Sequence, residues 1–527
     1  MAMNARTGLR IVAILVVAGL FGWRYLHHDA AKKSDAGPAT AGSTTAPATS
    51  DAPESPRTWQ LGSLTLTACE LESRNSGART AAWCNDFDVP ENRDDPAGRH
   101  IALKLAVIRS DAGDAASKDM VLMLAGGPGE AATQSFMNTE WYQDLLKHRH
   151  VVLLDQRGTG DSNPLSCKET EQSIDDDAVA APDLDKMRAE VARCLDEVRR
   201  KADPRYYTTT IAAEDLEAVR QALGAPQFNV IGVSYGTRMA QQYLMRHPDG
   251  VRSMVLDSPV PNQLVLGEDF ATALESALKR QFDACTATPT CKQRFGDPMQ
   301  TLQQLRDALA ANPHKVRFRD PQDFQETERL LSAQSLVGVV RMFAYTPESA
   351  ALLPLSIDAA AHGDVGPLLG QAKLLSGDLS GDMNSGMSMS VICSEDADLL
   401  QPDPANEGTL LGNQLIDAIK AQCDVWPSGT RPEDFHAPLK SDTPTLILSG
   451  ELDPVTPPEY GKLILAGLGN ARHLVASGQG HGLFVRGCTP HLIDEFITKL
   501  DPAGLDASCL DRLGPTPAFI NFNGAAP

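Results

Sequence analysis

The stretch Phe228-Asn-Val-Ile-Gly232-Val-Ser234-Tyr-Gly236-Thr237 decides how the 527-residue chain is read. Phe228 to Ile231 is a short apolar run of the kind buried on both faces of a parallel sheet. Thr237 to Arg246 continues as a helix that Pro248 ends. Between strand and helix, two glycines flank a serine, which permits a tight turn that lifts the Ser234 hydroxyl above the sheet. A glycine-rich turn with a capping serine would look the same in isolation, so the strand before it and the helix after it carry the assignment. A hydroxyl is a weak nucleophile until a base takes its proton, and the base must be sought elsewhere in the chain.

Twelve histidines compete for that role. His481 stands in Gly478-Gln-Gly480-His481-Gly482, a loop directly after the apolar strand His473 to Val475, where flanking glycines free the imidazole to reach Ser234. His473 lies within that strand and His491 at a helix start, and both read as structural. The acid that holds the imidazole in the correct tautomer is expected at Asp453, in Gly450-Glu-Leu-Asp453-Pro, after the strand Thr445 to Ser449, with Glu451 as its rival. Donors for a developing oxyanion are expected from the backbone N–H of Gly127, within Gly126-Gly-Pro-Gly129, and of Tyr235, directly after the serine.

Outward from these motifs, Ile101, Leu103, Leu105 and Val107 alternate as in a strand with one buried face, whereas Val121 to Leu124, Val151 to Leu154, Val255-Leu256 and Leu446 to Leu448 are continuous apolar runs. Glu214 to Leu223 carries Leu216, Val219, Ala222 and Leu223 on one helical stripe, and Gly224 supplies a stop. Strand and helix alternate, which predicts a doubly wound, mostly parallel α/β sheet with its ligand site beyond the carboxyl ends of the strands. From about Asn262 to Arg431 the strand signal fades and helical segments such as Phe270 to Phe282 and Leu331 to Tyr345 take over. We therefore expect a catalytic core over residues 58–261 and 432–527, interrupted by a mainly helical lid over 262–431.

Arg6 and Arg10 precede an apolar run from Ile11 to Trp23, the pattern of an export signal or a membrane anchor over residues 1–32. Residues 33–57, built from Ala, Thr, Ser, Pro, Gly and Asp, read as a flexible tether. Ten cysteines fit a periplasmic or secreted protein, and near-neighbour spacing suggests the pairs Cys69 with Cys84, Cys167 with Cys194, Cys285 with Cys291, Cys393 with Cys423 and Cys488 with Cys509. No Cys-x-x-Cys or His-x-x-x-His cluster suggests a metal, and no cofactor is expected. A net charge of −21 without a basic stretch excludes a nucleic-acid partner.

Gly126-Gly-Pro-Gly129, Asp155-Gln-Arg-Gly-Thr-Gly160, Gly232-Val-Ser-Tyr-Gly236, Gly450-Glu-Leu-Asp453-Pro and Gly480-His481-Gly482, in this order, resemble the proline iminopeptidase and tripeptidyl aminopeptidase group of α/β-hydrolases. The likeness runs from about Cys84 to Cys509, and Trp83-Cys-Asn-Asp-Phe-Asp-Val-Pro90 resembles the entry segment of the exported branch. The resemblance implies an α/β-hydrolase fold and an exopeptidase acting on short peptides from their free amino termini through an acyl-enzyme. It also implies a lid carboxylate that binds the substrate ammonium, and Cys393-Ser-Glu395-Asp396 resembles the Cys-x-acid motif of that branch. Glu395 and Asp396 are thus the expected substrate-binding residues. Ala125 stands where proline iminopeptidases often carry a histidine, so proline specificity is not implied. The alternative activity is a carboxylesterase using the same three residues.

Overall fold

A computed structural model describes residues 57–74, 77–166, 183–321, 323–371, 373 and 383–525. The apolar segment Ile11 to Trp23 and nearly all of the tether lie outside the described residues, as does Cys167. In chain order the strands that build the fold are β1 (Thr58–Leu61), β2 (Leu64–Glu72), β3 (Arg79–Pro90), β4 (His100–Ile108), β5 (Met120–Leu124), β6 (His150–Leu154), β7 (Phe228–Val233), β8 (Val251–Asp257), β9 (His314–Arg319), β10 (Glu326–Leu331), β11 (Thr445–Gly450) and β12 (Ala471–Ala476). Ten of them share one sheet in the order β1-β2-β3-β4-β6-β5-β7-β8-β11-β12. The first four form an antiparallel meander that joins β6, and from β6 to β12 every neighbouring pair is parallel.

The continuous apolar runs have a direct cause. Leu122, Leu124, Val230, Met254 and Ile447 pack into a core on one face of the sheet. Val121, Met123, Ile231, Val255, Leu446 and Leu448 pack into a second core on the other face. Alternate side chains of one strand enter different cores, so neither parity is free to be polar. The strand order reverses at β5, which lies between β6 and β7, and crossovers leave it in both directions. A crevice therefore opens beyond the carboxyl ends of β5 and β7, the place where open α/β sheets bind ligands.

Two helices frame that crevice. Helix α1 (Thr209–Leu223) begins earlier than its apolar stripe, because the Thr208 hydroxyl caps the N–H of Ile211, and it stops at Gly224 with φ 68°. Helix α2 (Tyr235–Arg246) starts directly after Ser234.

Between β8 and β11 lie the helices Phe270–Ala287, Pro298–Ala311, Ala333–Phe343 and Gln414–Cys423, together with α3 (Ser385–Glu395). Much of this segment has a core of its own, with Leu278, Phe282, Leu302, Leu336, Val340, Phe343 and Leu353 in one cluster. It also contains the antiparallel hairpin β9–β10, where a mainly helical segment was expected. Its strand period was masked because Lys315, Arg317 and Arg319 alternate with only two apolar residues, Val316 and Phe318.

The end of α3 fastens this segment to the core. Glu395 and Asp396 are both 0% exposed. The Glu395 carboxyl accepts the Thr209 N–H at 2.6 Å and the Thr209 hydroxyl at 2.8 Å, and Thr209 Oγ1 lies 2.6 Å from the Tyr235 hydroxyl at the start of α2. Asp396 accepts from Arg238 of α2 at 2.8 Å, with neither side chain exposed.

Four of the expected disulfides are formed, Cys69–Cys84, Cys285–Cys291, Cys393–Cys423 and Cys488–Cys509. Cys194 is disulfide-bonded as well.

Burial pushes Glu395 up to about 8, against the opposing hydrogen bonds from Thr209. A carboxyl that ionises later in the folded chain than in the unfolded one weakens folding as the pH rises from about 4.5, its usual value, to about 8. Glu395→Gln, which cannot ionise and keeps the shape, is expected to remove this contribution. In thermal unfolding its melting temperature relative to the parent protein should rise steadily from pH 5 to pH 8, and a pH-independent difference would contradict the burial argument.

Candidate active site

Ser234 occupies the turn between β7 and α2 with φ 56° and ψ −125°, a conformation that costs on the order of 1–3 kcal/mol and persists only where the surroundings enforce it. They do so by crowding. A Cβ on Gly236 would lie 2.2 Å from the Leu124 carbonyl oxygen of β5, and one on Gly232 would lie 2.4 Å from the Gly236 oxygen. Only glycine fits at either place. The Ser234 N–H donates to the Asp257 carbonyl at 2.9 Å, which ties the turn to the end of β8.

Register pairs Leu124 of β5 with Gly232 of β7, so the loop Gly126–Gly129 runs beside the serine. A Cβ on Gly126 would stand 3.1 Å from the Ser234 Cβ. The Gly126 N–H is taken by the Glu130 carboxylate at 3.2 Å. The N–H groups of Gly127 and Tyr235, in contrast, have no hydrogen-bond partner among the described residues. The start of α3 braces this loop from outside: the Asn384 N–H and Nδ2 both donate to the Gly129 carbonyl at 3.0 Å, and the Ser388 hydroxyl donates to the Pro128 carbonyl.

His481 Nδ1 lies 2.8 Å from Asp453 Oδ2. The other carboxylate oxygen of Asp453 accepts the N–H groups of Val455 at 2.9 Å and Thr456 at 2.8 Å, and the Thr456 hydroxyl donates to Oδ2 at 2.8 Å. Burial alone would raise the Asp453 pKa, but the His481 charge and these hydrogen bonds outweigh it and hold the carboxyl below its ordinary range. Burial opposes protonation of His481, yet Asp453, aided by Asp257 and Glu130, raises its pKa above the ordinary 6.5. Glu451 does not reach the imidazole. It accepts the Ser477 hydroxyl at 2.7 Å and the Gly478 N–H at 2.9 Å, bracing the turn that leads to the histidine.

Glu395 and Asp396 stand at the end of α3. Their carboxyls are buried and hydrogen-bonded to Thr209 of α1 and Arg238 of α2. The other oxygen of Asp396, Oδ1, is buried without a hydrogen-bond partner among the described residues, 3.7 Å from His436 Nε2. Beside the serine turn, the glycine loop ends in the half-buried Glu130, whose carboxylate accepts the Gly126 N–H.

Other residues at the site escaped the sequence reading. The Tyr345 carbonyl, from the segment between β8 and β11, accepts the His481 N–H at 2.8 Å, and its ring meets the imidazole edge-to-face at 5.3 Å. A Cβ on Gly480 would lie 2.3 Å from that same carbonyl oxygen, which explains the glycine before the histidine. No local pattern marks Tyr345. Asp257 could have been noticed as an acid closing an apolar strand. Among the described residues, no group of three or more His, Cys, Asp or Glu side chains could hold a metal ion.

The site combines a strained serine turn, an imidazole hydrogen-bonded to a buried carboxylate, and two backbone N–H groups without hydrogen-bond partners among the described residues. The family described as the alpha/beta hydrolase fold matches residues 119–487. The serine protease Hip1 of Mycobacterium tuberculosis is 25% identical over 469 residues, which cover 82% of this chain and 87% of Hip1. The tripeptidyl aminopeptidase of Streptomyces coelicolor is 25% identical over 477 residues, covering 82% of this chain and 84% of that protein. Among solved structures, the proline iminopeptidase of Mycobacterium smegmatis aligns at a TM-score of 0.38 with 14% identity, over 80% of this chain and 100% of that one. The protein is a hydrolase with serine peptidase relatives, and the chain belongs to the α/β-hydrolase fold family.

Proposed function

We propose that the protein is an exported serine aminopeptidase that hydrolyses short peptides from the free amino terminus through an acyl-enzyme on Ser234. In this reading His481 takes the Ser234 proton as general base and later returns it to the leaving amine. Asp453 orients the imidazole and stabilises its cation, and the N–H groups of Gly127 and Tyr235 receive the oxyanion. The observation that carries the reading is the hydrogen-bonded pair of His481 and the buried Asp453, in a chain whose named relatives across four-fifths of its length are peptidases. Negative charge from Asp453, Asp257 and Glu130 acts on His481, which suits a cationic substrate end at the cleft. We further propose that the segment over residues 262–431 serves as the lid, supported by the contact of its Tyr345 with His481.

Ser234→Ala is expected to abolish labelling by a fluorophosphonate and to lower turnover by about four to six orders of magnitude with unchanged thermal unfolding. Turnover that survives the loss of labelling would refute the mechanism.

Amino-terminal acetylation removes the charge and leaves the scissile bond in place. It should lower kcat/KM about ten- to a hundredfold, the worth of one charged hydrogen bond. Equal cleavage of acetylated and free peptides would favour an endopeptidase, and faster turnover of short acyl esters than of either peptide would favour the carboxylesterase reading.

Export is supported by the disulfides and by the charged and apolar pattern of residues 1–32. Among the described residues no helix is long and apolar enough to cross a membrane. Deleting residues 1–32 should leave the protein inside the cell with free thiols open to alkylation without prior reduction, as read by fractionation and mass spectrometry. Unchanged export of the truncated chain would remove the signal reading.

A further inference from the structure

Asp257 is the last residue of β8 and is fully buried, and no role for it follows from the acid, base and nucleophile just assigned. Its bonds converge on both sides of the reaction. Its peptide carbonyl accepts the Ser234 N–H at 2.9 Å. Its carboxylate accepts the Leu483 N–H at 2.9 Å through Oδ1 and the Phe484 N–H at 2.7 Å through Oδ2. The next residue extends the same grip: the Ser258 hydroxyl accepts the Gly482 N–H at 2.8 Å, and the Ser258 N–H donates to Leu448 of β11 at 2.9 Å. With the His481 N–H on the Tyr345 carbonyl, four consecutive peptide N–H groups, 481 to 484, have fixed acceptors.

Such a loop would otherwise be free. Glycines at 480 and 482 flank His481, and Gly482 has φ 85°, so the local chain does not define where the imidazole stands. Asp453 fixes the ring through Nδ1 alone, which leaves the backbone beneath it to be held by other means. We propose that Asp257 is a positioning residue for hydrolysis: it fixes the His481 loop through Leu483 and Phe484 and the Ser234 turn through its own carbonyl, and so sets the distance between base and nucleophile. The carboxylate has a second effect, because a buried negative charge near the imidazole favours the imidazolium that forms when Ser234 gives up its proton.

The proposal rests on the reading of Ser234 and His481 as nucleophile and base, so Ser234→Ala is measured beside the test variants. If that protein is fully active, the underlying reading has failed, whatever Asp257 does. The test variant is Asp257→Asn in the full chain, which keeps the shape, turns an NH2 group toward one of the two peptide N–H groups and removes the charge. We expect kcat to fall about ten- to a hundredfold, the effect of a displacement near 1 Å, with KM nearly unchanged.

A structural brace alone would not move the pH profile. The charged or titratable groups facing His481 are Asp453 after β11, Asp257 of β8, Glu130 after β5 and Tyr345 of the inserted segment. Those facing Asp257 are His481 and Asp453. The variant removes only one of them, so the acid limb of kcat/KM should move to lower pH by about half a unit as His481 loses a neighbouring negative charge. Ser258→Ala removes one acceptor and leaves the charge, so it should lower kcat about threefold to tenfold with the acid limb in place. It also decides the matter if Asp257→Asn fails to fold. Wild-type kcat in Ser258→Ala, or an Asp257→Asn enzyme with a lowered melting temperature but wild-type kcat and acid limb, would overturn the proposal.

Discussion

Everything at the site depends on how closely three stretches of backbone approach at the end of the sheet. Gly236 meets the Leu124 carbonyl and Gly232 meets Gly236, at separations that leave no room for a Cβ. That crowding is what makes the unfavourable φ of Ser234 tolerable, since the serine cannot relax without driving α2 into β5. The energy holding the turn comes from the two apolar cores on either side of the sheet, not from the turn itself. Burial of many ordinary side chains thereby maintains one uncomfortable one.

The segment between β8 and β11 is bound into the same arrangement at three points. Asn384 and Ser388 hold the glycine loop, Tyr345 holds the histidine, and Glu395 with Asp396 holds α1 and α2. The buried pair Arg238–Asp396 offers little net stabilisation against two uncharged residues of similar size, but it is unforgiving of the loss of one partner. Its value is directional: it ties the end of α3 to the helix that begins at Ser234. The segment between β8 and β11 thus shares hydrogen bonds with the glycine loop beside Ser234 and with the turn that carries His481.

What the sequence disclosed and what it hid follow from the range of the interactions. The strands β5, β7, β8 and β11 were legible because burial on both faces writes itself into consecutive residues. The turns that carry Ser234, Asp453 and His481 were legible because each is marked by glycine or proline at a strand end. The hairpin β9–β10 was not, since its exposed face is charged and its apolar face is only two residues deep in β9. Glu395 and Asp396 were noticed for their chemistry, but a sequence carries no sign that Thr209 and Arg238 would enclose them. Tyr345 acts through its carbonyl, a group every residue has, and no pattern distinguishes it.

The bond from Leu483 to Asp257 joins residues 226 apart in the chain, and it has a bearing on how the protein comes into being. A polypeptide is made from its amino terminus at roughly 5–20 residues per second, and contacts of such separation form late. The serine turn and most of the sheet emerge first, then the inserted segment, and only afterwards the two strands whose ends bear Asp453 and His481. Until those last strands dock, the Asp257 carboxylate lacks the Leu483 and Phe484 N–H groups that it accepts in the folded chain. In the proposed mechanism, hydrolysis therefore waits for β11 and β12, whose turns bear Asp453 and His481.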